Sequence, residues 1–324
     1  TRDRGARRIR WRPGAAVRSD GAVSPTSPTL EFFDDPTTFL AAADAFLAAD
    51  PVLVTVVSTV TERCAAGNLA RGAAPRWWVT VRDDPAGPVV AVGMRTAPGG
   101  ASPPYLTAMS DDAAMALARA LVERGEAITQ VNGALSAVRV VAEETARLAG
   151  GSAQVVEHTR LHLLERLAQP AATRGRLRPA GPDDVALCLD WWEAFEIDAA
   201  AQSGRPAVAP LEPQDEASML ARIGRGGLFL WEDERGDVVH LTGANPPSYG
   251  VVRVGPVYTP PGQRGRGYAS ATVAAVSAAA QEQGHRVCLF TDQANPVSNK
   301  IYAAIGFVPV VDMAHMEVTT PGPA

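Results

Sequence analysis

Two hydrophobic periods take turns along the chain. Apolar residues recur every three to four positions in "PTTFLAAADAFLAA", over 51–66, over 111–124 and in "LSAVRVVAEETARLA", the spacing that gives a helix one buried face. Between them "RWWVTVR", "PVVAVGMRT", "YLTAM", a short run near Ile128 and "AQVVEHTRLHLL" are rich in β-branched and aromatic residues and read as strands. The second half repeats this order. "RLRPAG" predicts a short strand, and "PDDVALCLDWWEAFEI" opens with a proline and two acids, then sets Leu187, Trp191 and Phe195 on one helical face. A second helix is expected over 213–223, ending at the glycines of "GRGG". Strands "LFLWED", "VVHLTGA" and "GVVRVGPVYT" follow. A helix with Ala269, Val273, Val276 and Ala280 at helical spacing comes next and stops at Gly284. Strand "RVCLFTD", a short helix in "NPVSNKIYAAIGF" closed by Gly306, and strand "VPVVDMAHMEV" complete the chain. Two halves with nearly one element order predict an α/β chain, with a mixed sheet, built as a tandem repeat of one fold. No residue motif is shared between the copies.

Length agrees, since 324 residues exceed the usual single domain. "LAQPAATRGR", over 167–176, is the best linker, combining Pro, Gly and small residues between patterned regions. The expected organisation is a disordered tail over 1–29, a first domain over 30–167, a linker over 168–174, a second domain over 175–318 and a short tail over 319–324. Composition, at 46% hydrophobic and 20% charged, is that of a globular protein. The longest apolar stretches, around 52–57 and 271–280, fall short of the roughly 20 residues of a bilayer span. The net charge is −5, yet residues 1–29 hold seven Arg and two Asp, or +5, which leaves −10 on the rest. So acidic a body argues against a nucleic-acid partner. Cys64, Cys188 and Cys288 are odd in number, far apart and form no CxxC pair, so they read as buried thiols of a protein in a reducing cytoplasm. A single lysine, Lys300, against 29 arginines suggests a GC-rich bacterial genome. The first 29 residues lack an apolar run that could form a signal-peptide core.

The stretch with chemistry in it is "PPGQRGRGYASATVAAVSAAAQEQG". Gly265 and Gly267 carry no side chain to block close approach, and the loop opens into a helix whose first turn has unpaired N–H groups and partial positive charge. These features make an anion cradle fit for a phosphate or pyrophosphate, with Arg264 and Arg266 as added cations. The nucleotide-hydrolase loop needs a GK[ST] ending, and the dinucleotide fold needs GxGxxG early in a βαβ unit; neither fits a loop that follows three strands. From the glycines alone, a tight turn feeding a helix is the preferred reading of the loop.

"RGRGYA" resembles the RxxGxA form of the coenzyme A pyrophosphate loop of the GNAT acetyltransferases, and "NPVSNKIYAAIGF" resembles that superfamily's second signature, NxxSxxxYxxxGF. The likeness covers 175–318 in element order and is strongest to two-part bacterial proteins regarded as GNAT acetyltransferases. It implies a tandem GNAT-like protein that uses acetyl-CoA as acyl donor. The pyrophosphate would rest on the amides of Arg264, Gly265, Arg266, Gly267, Tyr268, Ala269 and Ser270, and the pantetheine arm on the backbone of Val257 and Thr259. The strand bulge of the family would fall at "VGP", 254–256, where Gly and Pro fit a regular ladder poorly. Tyr302 would give its proton to the departing thiolate, and Asn295 and Asn299 would reach the cofactor. Each has a plainer alternative: Tyr302 packing under the sheet, Asn295 capping a helix ahead of Pro296, and Asn299 facing solvent.

On the acceptor side, Glu193, Glu196, Asp198 and His240 are candidate bases, and Trp191, Trp192 and Phe195 form either a substrate wall or core. His158 and His162 have i, i+4 spacing but lie in a strand pattern without the acid of HExxH, so no metal is expected. The first half offers only "YLTAMSDDAAM" where the cradle should be, and Asp111 and Asp112 would repel a pyrophosphate, so that copy is expected to be degenerate. The resemblance implies an N-acetyltransferase acting on the amine of a small molecule or peptide, with no nucleic acid or membrane partner. The alternative is a non-catalytic acyl-CoA-binding or regulatory protein.

Overall fold

Among the described residues, hydrogen bonding gathers twelve strands into one sheet. The computed structural model describes residues 27–67, 75–96, 103–202 and 214–320, so all of the expected tail except 27–29 lies outside the described residues. The first half runs β1 (Thr29–Phe33), α1 (Pro36–Ala49), α2 (Thr55–Ala65), β2 (Trp77–Arg82), β3 (Ala91–Arg95), β4 (Tyr105–Leu106), α3 (Asp111–Glu123), β5 (Gln130–Ala134), α4 (Leu135–Ala149) and β6 (Ser152–Leu164). The second runs β7 (Arg176–Pro179), α5 (Val185–Gln202), α6 (Glu216–Gly224), β8 (Leu228–Glu232), β9 (Val238–Ala244), β10 (Val251–Tyr258), α7 (Tyr268–Glu282), β11 (Arg286–Asp292), α8 (Pro296–Ile305) and β12 (Phe307–Thr319). Among the described residues, β1 is a strand the hydrophobic pattern did not announce, five residues that pair antiparallel with β2.

Helix ends follow local chemistry. Asp35, Ser110, Asp215 and Asn295 each stand at an N-cap and accept from first-turn amides, while Gly150 and Gly306 end α4 and α8 in the left-handed conformation.

Strand order is β1-β2-β3-β4-β5-β12-β6-β11-β10-β9-β8-β7. The two halves trade their final strands. β6 lies against β11 of the second half, β12 lies against β5 of the first, and the exchanged strands pair antiparallel from Phe307↔Leu164 to Thr319↔Ser152. The sheet is therefore continuous across the chain's midpoint. Alternation along β11 sorts its two faces: Val287 and Leu289 join the apolar cluster under α7 and α8, whereas Cys288 faces the other way and packs with Val52. Cys64, Cys188 and Cys288 are free and buried. Among the described residues no helix is long and apolar enough to cross a membrane.

Candidate coenzyme-binding and active site

The site begins where β10 leaves its neighbour. β10 runs parallel to β11 from Val251↔Arg286 to Val254↔Leu289, and no pair follows. On the other edge its pairing with β9 jumps from Val254↔Ala244 to Val257↔Thr242, so the bulge expected at "VGP" is present. Gly255 stands at φ +146° and joins Pro256 through a cis peptide. Pro256 has no N–H to offer a ladder. Beyond Val254 the pairing with β11 ends, while Val257 stays paired with Thr242 of β9 and the Thr259 carbonyl accepts from Arg264 Nε.

β10 leads into the nine residues 259–267 before α7. Gly265 (φ +78°) and Gly267 (φ +83°) both take the left-handed conformation, and Gly267 is the N-cap of α7. No side chain caps this helix. The first helical bond runs from the Ala271 N–H to the Gly267 carbonyl at 3.0 Å, which leaves the amides of Tyr268, Ala269 and Ser270 without an acceptor inside the helix. A Cβ on Gly265 would meet nothing within 4 Å, so the approach there is open. Gln263 Oε1 is buried beside the loop without a hydrogen-bond partner. The uncapped amides of Tyr268, Ala269 and Ser270 behind this glycine-lined loop, rather than the Gln263 oxygen, which only accepts, fit the diphosphate of coenzyme A. Tyr268 itself points inward, packed with Trp231 and Val239.

Arg264 is engaged within the protein. Its Nε donates to the Thr259 carbonyl at 2.9 Å, and Nη2 pairs with Asp198 Oδ2 at 2.5 Å. Arg266 reaches the Gly262 carbonyl at 3.4 Å. Asp198 therefore ties α5 to the loop, a link that nothing in the spacing of the sequence foretold.

Tyr302 is 8% exposed, set edge-on to Phe307 within the α7–α8 cluster that includes Val254 and Leu289. Burial holds its phenol well above the ordinary tyrosine value. Asn295 spends its amide oxygen on the Val297 and Ser298 amides, 3.2 Å each, and its amide nitrogen on Gln202 Oε1 at 2.9 Å. Asn299 Nδ2 donates to the Asp292 carbonyl at 3.1 Å and to that of Gln293 at 3.4 Å. The side chains of both are thus bonded within the protein.

α5 packs beside β10 and the loop. Trp191 meets Tyr258 edge to face at 5.9 Å, and Trp192 carries the Arg222 guanidinium over its ring at 4.7 Å. Tyr258 has its phenol raised by burial and then by the Asp198 carboxylate beside it. Glu193 and Glu196 are exposed. His240 is different from the other candidate bases. It is 0% exposed, with Nδ1 2.7 Å from Thr259 Oγ1 and Nε2 2.7 Å from Thr242 Oγ1, and burial pushes its pKa down to about 3. A ring so placed stays neutral and orients two hydroxyls rather than taking protons at neutral pH. His158 and His162 fall in strand β6, and no cluster of three His, Cys, Asp or Glu placed for a metal occurs among the described residues.

The corresponding place in the first half is shut. Only four residues, 107–110, join β4 to α3, and the Ser110 side chain caps the helix by accepting from the Ala113 amide. β4 pairs with β5 through its last residue, Leu106↔Gly133, and a Cβ on Gly133 would lie 2.1 Å from the Leu106 carbonyl oxygen. Close strand approach, a short loop and Asp111 and Asp112 in the first turn leave no cradle there.

Residues 236–313 match the family described as FR47-like protein. No curated protein matches the sequence. Among solved structures, the chain is similar to a GCN5-related N-acetyltransferase from Sphaerobacter thermophilus at 17% identity and a TM-score of 0.56, covering 92% of this chain and 98% of that one. A tandem GNAT protein from the clavulanic acid biosynthesis pathway is similar at 14% identity and a TM-score of 0.54, over 91% and 100% of the two chains. A GNAT-family acetyltransferase from Colwellia psychrerythraea is similar at 13% identity and 0.51, over 90% and 100%. The second half thus carries an FR47-like match, and the chain shares the fold of these GNAT structures, one of them a tandem protein, along nine-tenths of its length.

Proposed function

We propose that the chain is an acetyl-CoA-dependent N-acetyltransferase that works in the second half's cleft on the amine of a small molecule or peptide. The observation that carries this reading is the parting of β10 from β11 directly ahead of an uncapped, glycine-lined helix start. Acetyl-CoA supplies a thioester whose carbonyl carbon the amine attacks directly. The chain's own residues bind, orient and manage protons. Amides of 264–270 receive the diphosphate, and each charge-assisted bond contributes about 1.5 to 3 kcal/mol, so a few suffice for micromolar binding. The backbone at Val257 and Thr259 aligns the pantetheine arm along the open strand edge.

Tyr302 keeps its proton at neutral pH because burial disfavours its phenolate. A thiol's pKa near 8.5 lies below it, so the phenol hydrogen-bonds the departing sulfur as charge develops there. An alkyl amine near pKa 10.4 is about one part in 10³ neutral at pH 7, a cost of roughly 4 kcal/mol. The carboxylates of Glu193, Glu196 and Asp198 on α5 are the candidate bases to relieve it, Asp198 being already paired with Arg264. Release of coenzyme thiol across a panel of amines tests the proposal. Turnover with at least one amine supports it; coenzyme binding with no turnover on any acceptor contradicts it.

A further inference from the structure

The linker between the halves lies against the proposed cradle. A Cβ on Gly267, the N-cap of α7, would stand 2.8 Å from Thr173 Oγ1. Thr173 is half-buried, and its hydroxyl makes one long bond, 3.4 Å to the Ala171 carbonyl, so it can turn toward another acceptor.

The segment is held there by the protein. The Trp231 indole N–H donates to the Arg174 carbonyl at 3.1 Å, and Trp231 packs with Tyr268, the first helical residue of α7. Gly175, at φ +113°, presses so close to β8 that a Cβ would come 2.1 Å from the Glu232 carbonyl oxygen. On the other side, the Ala168 amide donates to the Ile305 carbonyl at 2.7 Å, anchoring the linker to the end of α8. The joining segment is thus pinned at both ends across the start of α7.

Resting on the reading above, we propose that the linker is a wall of the coenzyme site, with the Thr173 hydroxyl donating to the diphosphate held by the amides of 267–270. Cofactor capture would then engage the junction of the two halves as well as the second half's own loop.

Titration calorimetry of the full chain with coenzyme A, and separately with ADP and with pantetheine, tests this. Thr173→Val is expected to weaken coenzyme A and ADP by about tenfold, which is ~1.4 kcal/mol, and to leave pantetheine, which has no diphosphate, unchanged. Thr173→Ser keeps the hydroxyl and is expected to bind like the wild type; its recovery separates a lost hydrogen bond from a disturbed fold. Equal or tighter binding of coenzyme A by Thr173→Val overturns the inference, the tighter case marking the linker as an obstruction. Weakened binding by Thr173→Ser as well as Thr173→Val overturns it too. A wild-type chain that gives no response to coenzyme A is a separate result and removes the functional reading itself.

Discussion

Gly267→Ala is the most informative single perturbation of the cradle. Gly267 sits at φ +83° as the N-cap of α7, a conformation that costs an L-residue about 1 to 2 kcal/mol. The added methyl would also lie 2.8 Å from Thr173 Oγ1, closer than carbon and oxygen approach without displacement. The neighbour is the end of a side chain on a half-exposed segment, so it yields, and strain sets most of the stability change. Unfolding entropy for 324 residues is roughly 0.7 kcal/mol per kelvin. A penalty of about 1 to 2 kcal/mol therefore lowers the melting temperature by only about 1.5 to 3 °C. Binding suffers more. Tilting the first turn of α7 forfeits at least one charge-assisted bond, about 1.5 to 3 kcal/mol, or roughly 10- to 150-fold in coenzyme affinity. Differential scanning fluorimetry without ligand and calorimetry with coenzyme A read the two effects apart. A variant that melts a little earlier yet binds the coenzyme as tightly as the wild type would refute the placement of the diphosphate on these amides.

Three further outcomes follow from the same geometry. Tyr302→Phe is expected to lower turnover by about 10² to 10⁴ while leaving coenzyme affinity unchanged, and the wild-type rate should show no alkaline decline up to about pH 10, because the raised phenol keeps its proton there; stopped assays across pH check both, and an unchanged rate removes the role. Asp198→Asn frees Arg264 from its carboxylate and should tighten coenzyme A about two- to fivefold, the scale of an exposed ion pair, whereas unaltered affinity means that Arg264 takes no part. His240 has a folded pKa near 3 against 6.5 unfolded, so the unfolded chain binds more protons between those values and stability falls as pH drops below about 6.5. Urea titrations at pH 7 and pH 5 should show about 2 kcal/mol lost through this residue, and His240→Gln should remove that part of the difference.

Much of this architecture was legible because helix and strand periods are local. The bounds of α1 and α4 coincide with the patterned runs, and "VGP" marked the bulge because proline and glycine fail in a ladder for reasons that need no tertiary context. The exchange of β6 and β12 was not legible, since the apolar pattern of a strand names its face but not its neighbour. The same limit hid Gly133, whose need to be glycine comes from the Leu106 backbone pressed against it. The glycine loop and Tyr302 stood out as candidates by residue type, whereas the settings of His240 and Asn295 depended on burial and partners. His240 looked like a base until two hydroxyls closed around its ring. Asn295 holds the start of α8, the plainer of its two readings. Thr173 lay in a stretch read only as a linker, and just its distance from Gly267 gives it meaning.

The central claim is that one half of this tandem chain carries a coenzyme cradle and the other does not. Calorimetric titration of the full chain with coenzyme A measures it most directly. The account predicts micromolar binding at one site per chain, set by a few charge-assisted bonds at 264–270. No heat with millimolar coenzyme, or two equivalent sites per chain, would contradict it.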